Sequence, residues 1–343
     1  MTQNKSFIFN KVTYTIEEYP DKNCIDFCIK NPEKPHNPEI LYKYFSVNNL
    51  AYIFSVDAFL NHYLYSSHPL NLNDKYDCSG DLLDFSKIGV EFYIKKLLQE
   101  VHLISEKRIK EIFNSNDRRQ LINTLTDIYP TILYLKFGVI SLAEKPDNIL
   151  MWSYYAQNSG FVLKFNTDLL PKGFFGPFPI NYSETLEKID FTNYHFATCV
   201  LYQTNVKYIK WKPENEWRYL TYNSEGKYHP QYDCSDNEIT TRKFTYDPKS
   251  VDEVILGYDF FNICEFDFNE RSSEFQIINI PDNSTPDNWK VKFLNHIVDY
   301  KIKCSQIIRH RDSFKLDNAR IKIQKLTDNK FKIYKQISSS III

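Results

Sequence analysis

Apolar and polar positions alternate along Phe7-Ile8-Phe9-Asn10-Lys11-Val12-Thr13-Tyr14-Thr15-Ile16, and the run is rich in β-branched and aromatic residues. A period of two with those residue types predicts a strand or hairpin. The two prolines between Asn31 and Asn37 mark a loop, after which Ile40–Phe45 reads as a short strand. Ser46 or Asn48 is placed to cap a helix running through Ala51, Ile53 and Phe54 to about Leu60. A further aromatic strand follows over His62–Ser67. Between 81 and 128 the period lengthens: Ile88, Phe92, Ile94, Leu97, Leu98 and Val101 recur near 3.6 residues, and Tyr129-Pro130 closes the helical region.

Near residue 131 the period returns to two. Short β runs are predicted at Ile132–Phe137, Gly138–Leu142, Gly160–Phe165, Thr198–Gln203, Trp217–Tyr222, Val254–Gly257 and Glu274–Ile280. Phe174–Pro179 reads as a loop and Glu184–Phe196 as partly helical. Trp289–Ile308 has helical spacing, and Arg320–Tyr334 alternates as a terminal strand or hairpin. These signals predict an α+β chain with a mixed, mostly antiparallel β core. Its parts are a strand or hairpin extension over 1–38, one domain over 39–336 with a helical insertion at 81–128, and a disordered tail over 337–343.

Composition narrows the function classes. Lys plus Arg is 42 and Asp plus Glu is 43 in 343 residues, a net charge of −1, so the broad basic footprint of a bulk nucleic-acid binder is absent. No run of 18 apolar residues exists and the N-terminal apolar stretch is short for a signal peptide, which predicts a cytoplasmic protein with no membrane partner. Seven cysteines, an odd number with no CxxC pair, fit reduced thiols better than a disulfide framework. Neither the cysteines nor the eight histidines show metal-ligand spacing, and GxxxxGK[ST], GxGxxG, HExxH and GxSxG are all missing.

Three segments carry candidate chemistry. Trp211-Lys212-Pro213-Glu214-Asn215-Glu216-Trp217-Arg218 holds two glutamates two apart, which on a strand point the same way; flanking tryptophans that exclude water raise a carboxylate pKa. The plain alternative is a surface loop in which Glu214 or Glu216 pairs with Arg218. The stretch from Ser141 through Trp152-Ser153-Tyr154-Tyr155 to Gly160 is dense in rings that suit a stacking pocket, or an ordinary aromatic core. Tyr42-Lys43-Tyr44 sets a lysine between aromatic residues, where it meets a phosphate or is simply the polar member of an alternating strand.

Those segments occur in the order seen in a bacterial family. Leu41–Tyr44, Leu70–Asp77, Val139–Glu144, Met151–Ala156, Gly160–Phe165, Lys210–Arg218 and Val254–Gly257 together resemble the domain-of-unknown-function 2971 family over about residues 39–329. The family's usual histidines are replaced here by Tyr154 and by Asn158 or Ser159, so their roles do not carry over. More distantly, Lys43, Ser141 and the Glu214/Glu216 pair follow the order of basic residue, serine and paired glutamates in DNA-modifying ADP-ribosyltransferase toxins. That resemblance implies an ADP-ribosyltransferase fold and NAD as substrate, in a metal-independent toxin or anti-phage effector. It also implies a macromolecular acceptor, nucleic acid or protein, and an inhibitory partner protein. Under it Glu216 holds the ribose, Glu214 serves the acceptor, and Ser141 completes the catalytic set. Lys43 binds the pyrophosphate, Tyr154 or Tyr155 stacks on nicotinamide, and Tyr42 and Trp152 complete the NAD-binding residues. The competing expectation is a non-catalytic nucleotide or nucleic-acid sensing module.

Overall fold

The computed structural model describes residues 3–19, 24–87, 137–171, 173–222, 242–262, 267–271, 275–281, 289–310 and 312–335, with isolated residues between 89 and 126. The chain is α+β. Strands β1 (Ser6–Phe9), β2 (Val12–Tyr19) and β3 (Cys24–Lys30) form an antiparallel sheet from the alternating N-terminal pattern. β4 (Ile40–Phe45) leads to helix α1 (Ala51–Leu60) and β5 (Tyr63–Tyr65). β6 (Leu83–Asp84) and β7 (Phe137–Ala143) precede helix α2 (Ile149–Tyr154) and β8 (Phe161–Asn166). β9 (Phe175–Pro179), β10 (Asn181–Ser183) and β11 (Ile189–Asp190) lead to helix α3 (Phe196–Gln203), β12 (Val206–Tyr208) and β13 (Glu216–Tyr222). β14 (Lys243–Thr245), β15 (Val251–Leu256), β16 (Asp267–Arg271) and β17 (Phe275–Asn279) follow. Helix α4 (Trp289–Asp299) and β18 (Lys303–Arg309), β19 (Leu316–Lys325) and β20 (Lys330–Lys335) are the last described elements.

Eleven of these strands make one sheet in the order β16-β17-β20-β19-β18-β15-β8-β4-β7-β13-β9. Its pairings are antiparallel except β15 with β18, which the connection through α4 makes parallel. One face carries the largest core, where Leu41, Ile140, Leu142, Phe161 and Leu163 meet Phe59 of α1 and Phe293 of α4. Other side chains form further clusters, among them one around β1, β2 and α3 and another around Trp152 of α2. Gly160 lets the turn before β8 press on β4, because a Cβ there would lie 1.9 Å from the carbonyl oxygen of Phe45.

Several local expectations need correction. Thr198–Gln203, predicted as a strand from Thr198 and Val200, is helix α3; His195 caps it through Nδ1, which accepts from Ala197 N–H, and burial on all sides overrides β propensity. Glu184–Phe196 is irregular apart from the short strand Ile189–Asp190 and the turn that follows it, with the helix beginning only at Phe196. Phe174–Pro179 is not a loop: Phe175–Pro179 is the sheet's edge strand, where proline costs no interior ladder bond. The helix in Trp289–Ile308 stops at Asp299, and Lys303–Arg309 is a strand. Helix α1 lacks the expected cap: Leu50 holds the N-cap position, and Ser46 Oγ instead accepts from Asn48 N–H. The 81–128 insertion lies mostly outside the described residues, though those described between 107 and 126 are helical. Ile132–Lys136 and the 337–343 tail lie outside them altogether.

Candidate functional site

The sheet nearly parts between β4 and β7. A single residue pair, Tyr42 with Ala143, joins the two strands, whereas β4 pairs with β8 over six residues and β7 with β13 over seven. Further along, the free edge of β7 is held by a bridge from Ser67 to Val139. Ser141 sits between these two attachments, and alternation points its backbone groups into the gap, as it does those of Val139. Lys43 occupies the gap: its Nζ donates to the Ser141 carbonyl oxygen at 2.8 Å.

A cavity of about 240 Å³ opens here. Tyr42, Lys43, Ser141, Tyr155, Glu214 and Glu216 all line it, together with Asn73, Asp77, Lys207 and Arg218. Tyr42 and Lys43 come from β4, Ser141 from β7, Tyr155 from the end of α2, and Glu216 from the start of β13. The register explains one wall. Glu216 faces Ala143 and Arg218 faces Ser141 across the antiparallel pair, so all four point to one side of the sheet.

The two glutamates do not share a strand. Glu214 ends a 3-10 turn over Ile209–Glu214, Asn215 takes a left-handed conformation (φ 46°, ψ 50°), and only Glu216 belongs to β13. The kink still aims both carboxylates at one cation: Lys207 Nζ lies 2.6 Å from Glu214 Oε2 and 3.0 Å from Glu216 Oε2. Trp211 lies over that ammonium at 5.1 Å, whereas Trp217, between Glu216 and Arg218 on β13, points to the other face of the sheet and is buried in the main core.

Arg218 anchors the cluster. Its Nε donates to Glu216 Oε1 (2.7 Å) and its Nη2 to Glu216 Oε2 (3.1 Å) and Asp77 Oδ2 (2.5 Å). Nη1 donates to Asp77 Oδ1 (2.7 Å) and the Thr204 carbonyl (2.8 Å), so all five guanidinium protons are used. The pairing of Glu216 with Arg218 is therefore real, but buried and beside Lys43 rather than on a surface loop. A second chain of hydrogen bonds runs from Asn73 Nδ2 to Tyr155 Oη (2.8 Å) and from Tyr155 Oη to Glu214 Oε1 (2.5 Å).

These environments push like groups apart. Burial raises the pKa of Glu216, but Arg218 and Lys207 outweigh it and hold the carboxyl well below the usual range. For Glu214 burial wins: with Glu216 adding to it, its pKa is raised despite Lys207 and Tyr155. The lysines split in the same way. Burial lowers Lys43 to about 8, with Glu216 opposing. Burial also lowers Lys207, but Glu216, Asp77 and Glu214 more than compensate and its ammonium is held charged.

Two expected residues lie elsewhere. Trp152 is buried in the core, edge-on to Tyr44, its Nε1 donating to the Pro146 carbonyl at 2.6 Å. Tyr154 is 69% exposed and does not line the cavity. Helical spacing is the reason: Met151 and Tyr155, four apart, turn to the cavity, and the residues between them turn away. Asp77 and Lys207 were not singled out from sequence. Asp77 closes the Leu70–Asp77 segment without being marked as a site residue, and Lys207 is the one charged residue between Asp190 and Lys210, in a run otherwise suited to burial.

No family model matches the chain, and neither a curated protein nor a solved structure matches it. None of these comparisons supports the resemblance to the two families above, which is an expectation from motifs and their order. Among the described residues, no group of three or more His, Cys, Asp or Glu side chains is arranged to hold a metal. No described helix is long and apolar enough to cross a membrane.

Proposed function

We propose that the cavity between β4 and β7 is the catalytic site of an ADP-ribosyltransferase-like enzyme. It breaks the nicotinamide glycosidic bond of NAD and passes the ADP-ribosyl group to a macromolecular acceptor. The observation that carries the reading is the unequal pairing of two glutamates in one small cavity: both oxygens of Glu216 are held by Arg218 and Lys207, whereas Glu214 shares Lys207 and takes the Tyr155 hydroxyl, so Glu216 is fixed as an anion while burial raises Glu214. Groups pushed apart in this way divide acid–base labour.

Breaking the bond leaves a ribosyl group with oxocarbenium-like positive charge. Glu216 supplies a permanent negative charge to that cavity. Both its oxygens are already committed to Arg218 and Lys207, so it acts through its fixed field more than as a free acceptor for a sugar hydroxyl. Glu214, with its Tyr155 and Asn73 relay, is suited to take the acceptor's proton. At about 240 Å³ the cavity is below the roughly 300–1,000 Å³ of sites that enclose a whole drug-sized ligand, so it suits the nicotinamide riboside end, with the remaining nucleotide outside.

The test is nicotinamide release from NAD by the full chain, with and without DNA, RNA and cell lysate. Release that is stimulated by one acceptor class, with label transferred to it, is the expected result. Glu214→Gln should keep NAD hydrolysis but lose transfer. A second reading draws on the charge balance. Lys43, Lys207 and Arg218 face Asp77, Glu214 and Glu216, three against three, as a scaffold would. If NAD binds and no condition releases nicotinamide, the chain is the sensing module.

A further inference from the structure

Two lysines share this cavity, and their surroundings differ. Lys207 lies within 3.7 Å of three carboxylates, from Asp77, Glu214 and Glu216, and is locked as their counter-ion. Lys43 has a neutral partner, the Ser141 carbonyl, and sits in the opening of the sheet against Glu216. The walls around it offer hydroxyl and amide groups rather than unneutralised charge: Ser67, Asn71, Asn73, Ser141 and Tyr155. A volume of about 240 Å³ lined in this way suits a polyhydroxylated molecule of sugar size.

We infer that Lys43 is an amine nucleophile that condenses with the aldehyde carbon of a ring-opened aldose, the C1 of a ribosyl group, to form an imine. The inference rests on the catalytic reading of the same cavity. Nζ must be free amine to attack, and burial supplies this by bringing its pKa to about 8. At pH 7.5 that gives about two hundred times the free amine of an ordinary lysine. In the step, the Nζ lone pair forms the N–C1 bond and the carbonyl π pair moves to oxygen, which takes a proton. The carbinolamine loses that oxygen as water after a second protonation, for which the Glu214 carboxyl on the same wall is the source, and nitrogen sheds its protons to Glu214 and solvent. The sum is amine plus aldehyde to imine plus water, with no change of oxidation state.

Cyanoborohydride trapping with peptide mapping tests this. The full chain is incubated with ribose 5-phosphate, and separately with NAD, across pH 7 to 9. In the aldose arm, Lys43 should be labelled at least about tenfold faster than the average lysine, because nearby free amine outweighs its lower basicity. The rate should rise with a midpoint near 8. Lys43→Arg should lose this label and leave the labelling of other lysines unchanged. Labelling spread over exposed lysines, with Lys43 no faster, overturns the inference, and wild-type mapping alone can deliver that result. The NAD arm keeps the two proposals apart. A Lys43 adduct from the aldose, with neither adduct nor nicotinamide from NAD, upholds the nucleophile and sinks the NAD reading. Nicotinamide release with no Lys43 adduct in either arm does the reverse.

Discussion

Replacing Arg218 by methionine tests the buried cluster most directly. The side chain is 1% exposed, and its five protons serve Glu216, Asp77 and the Thr204 carbonyl. Methionine keeps most of the aliphatic stem, so the packing loss is small. It leaves Asp77 (4% exposed) and Glu216 (5% exposed) sharing Lys207 with Glu214: three carboxylates and one close ammonium. Removing one partner of a buried ion pair costs about 3–5 kcal/mol, because a desolvated charge is left uncompensated. Arg218→Lys keeps the charge but loses the two-pronged geometry, and about 1–3 kcal/mol is expected. Urea unfolding followed by circular dichroism measures both.

The pH dependence has a defined sign. In the wild type, Glu216 has a depressed pKa when folded, so its contribution is present above the unfolded value near 4.3 and fades as pH falls through the folded one. In Arg218→Met the crowded carboxylates have raised folded pKa values. The folded state then binds more protons than the unfolded, and the deficit against wild type should shrink from pH 7 to pH 5. A loss below about 1 kcal/mol at pH 7, or a deficit that grows on acidification, would refute the argument that these charges depend on Arg218.

Other outcomes follow from the same geometry. Glu216→Gln should lower kcat for nicotinamide release by about 2–4 kcal/mol equivalent with little change in NAD affinity; the opposite split means the charge serves ground-state binding. Tyr155→Phe removes a hydrogen bond that favours ionised Glu214, so the acid limb of the acceptor-transfer pH profile should move to higher pH; an unmoved limb separates Glu214 from that step. Trp152→Phe should cost about 1–3 kcal/mol in urea unfolding through the lost Pro146 hydrogen bond and ring volume, with KM for NAD unchanged; a raised KM restores its stacking role. His296, packed against His62, Phe59 and Tyr300, is lowered to about 4 by burial and by His62, with Asp299 opposing; Asp247 acts on His62 in the same sense. Its native form binds fewer protons than the unfolded chain, so stability should fall as pH drops from about 6.5 toward 4. His296→Phe should flatten that decline, and an equally steep curve removes His296 from it.

The sequence alone determined the α+β class and most strands of the sheet, because a period of two with β-branched and aromatic residues is a local signal that survives folding. It also singled out six residues that line the cavity, from Tyr42 and Lys43 to Glu214 and Glu216. What failed had tertiary causes. Thr198–Gln203 became a helix because it is buried on every side, where neither propensity nor period discriminates. Trp152 and Tyr154 were indistinguishable from Tyr155 in a list of rings, and only the turn of α2 decided which one reached the cavity. Asp77, in a turn, and Lys207, on the short strand β12, are ordinary charged residues until the fold brings them to Arg218 and the two glutamates. The different states of Glu214 and Glu216, and of Lys43 and Lys207, were likewise decided only in three dimensions, because a pKa follows from desolvation and the nearest charges, and those come from distant parts of the chain.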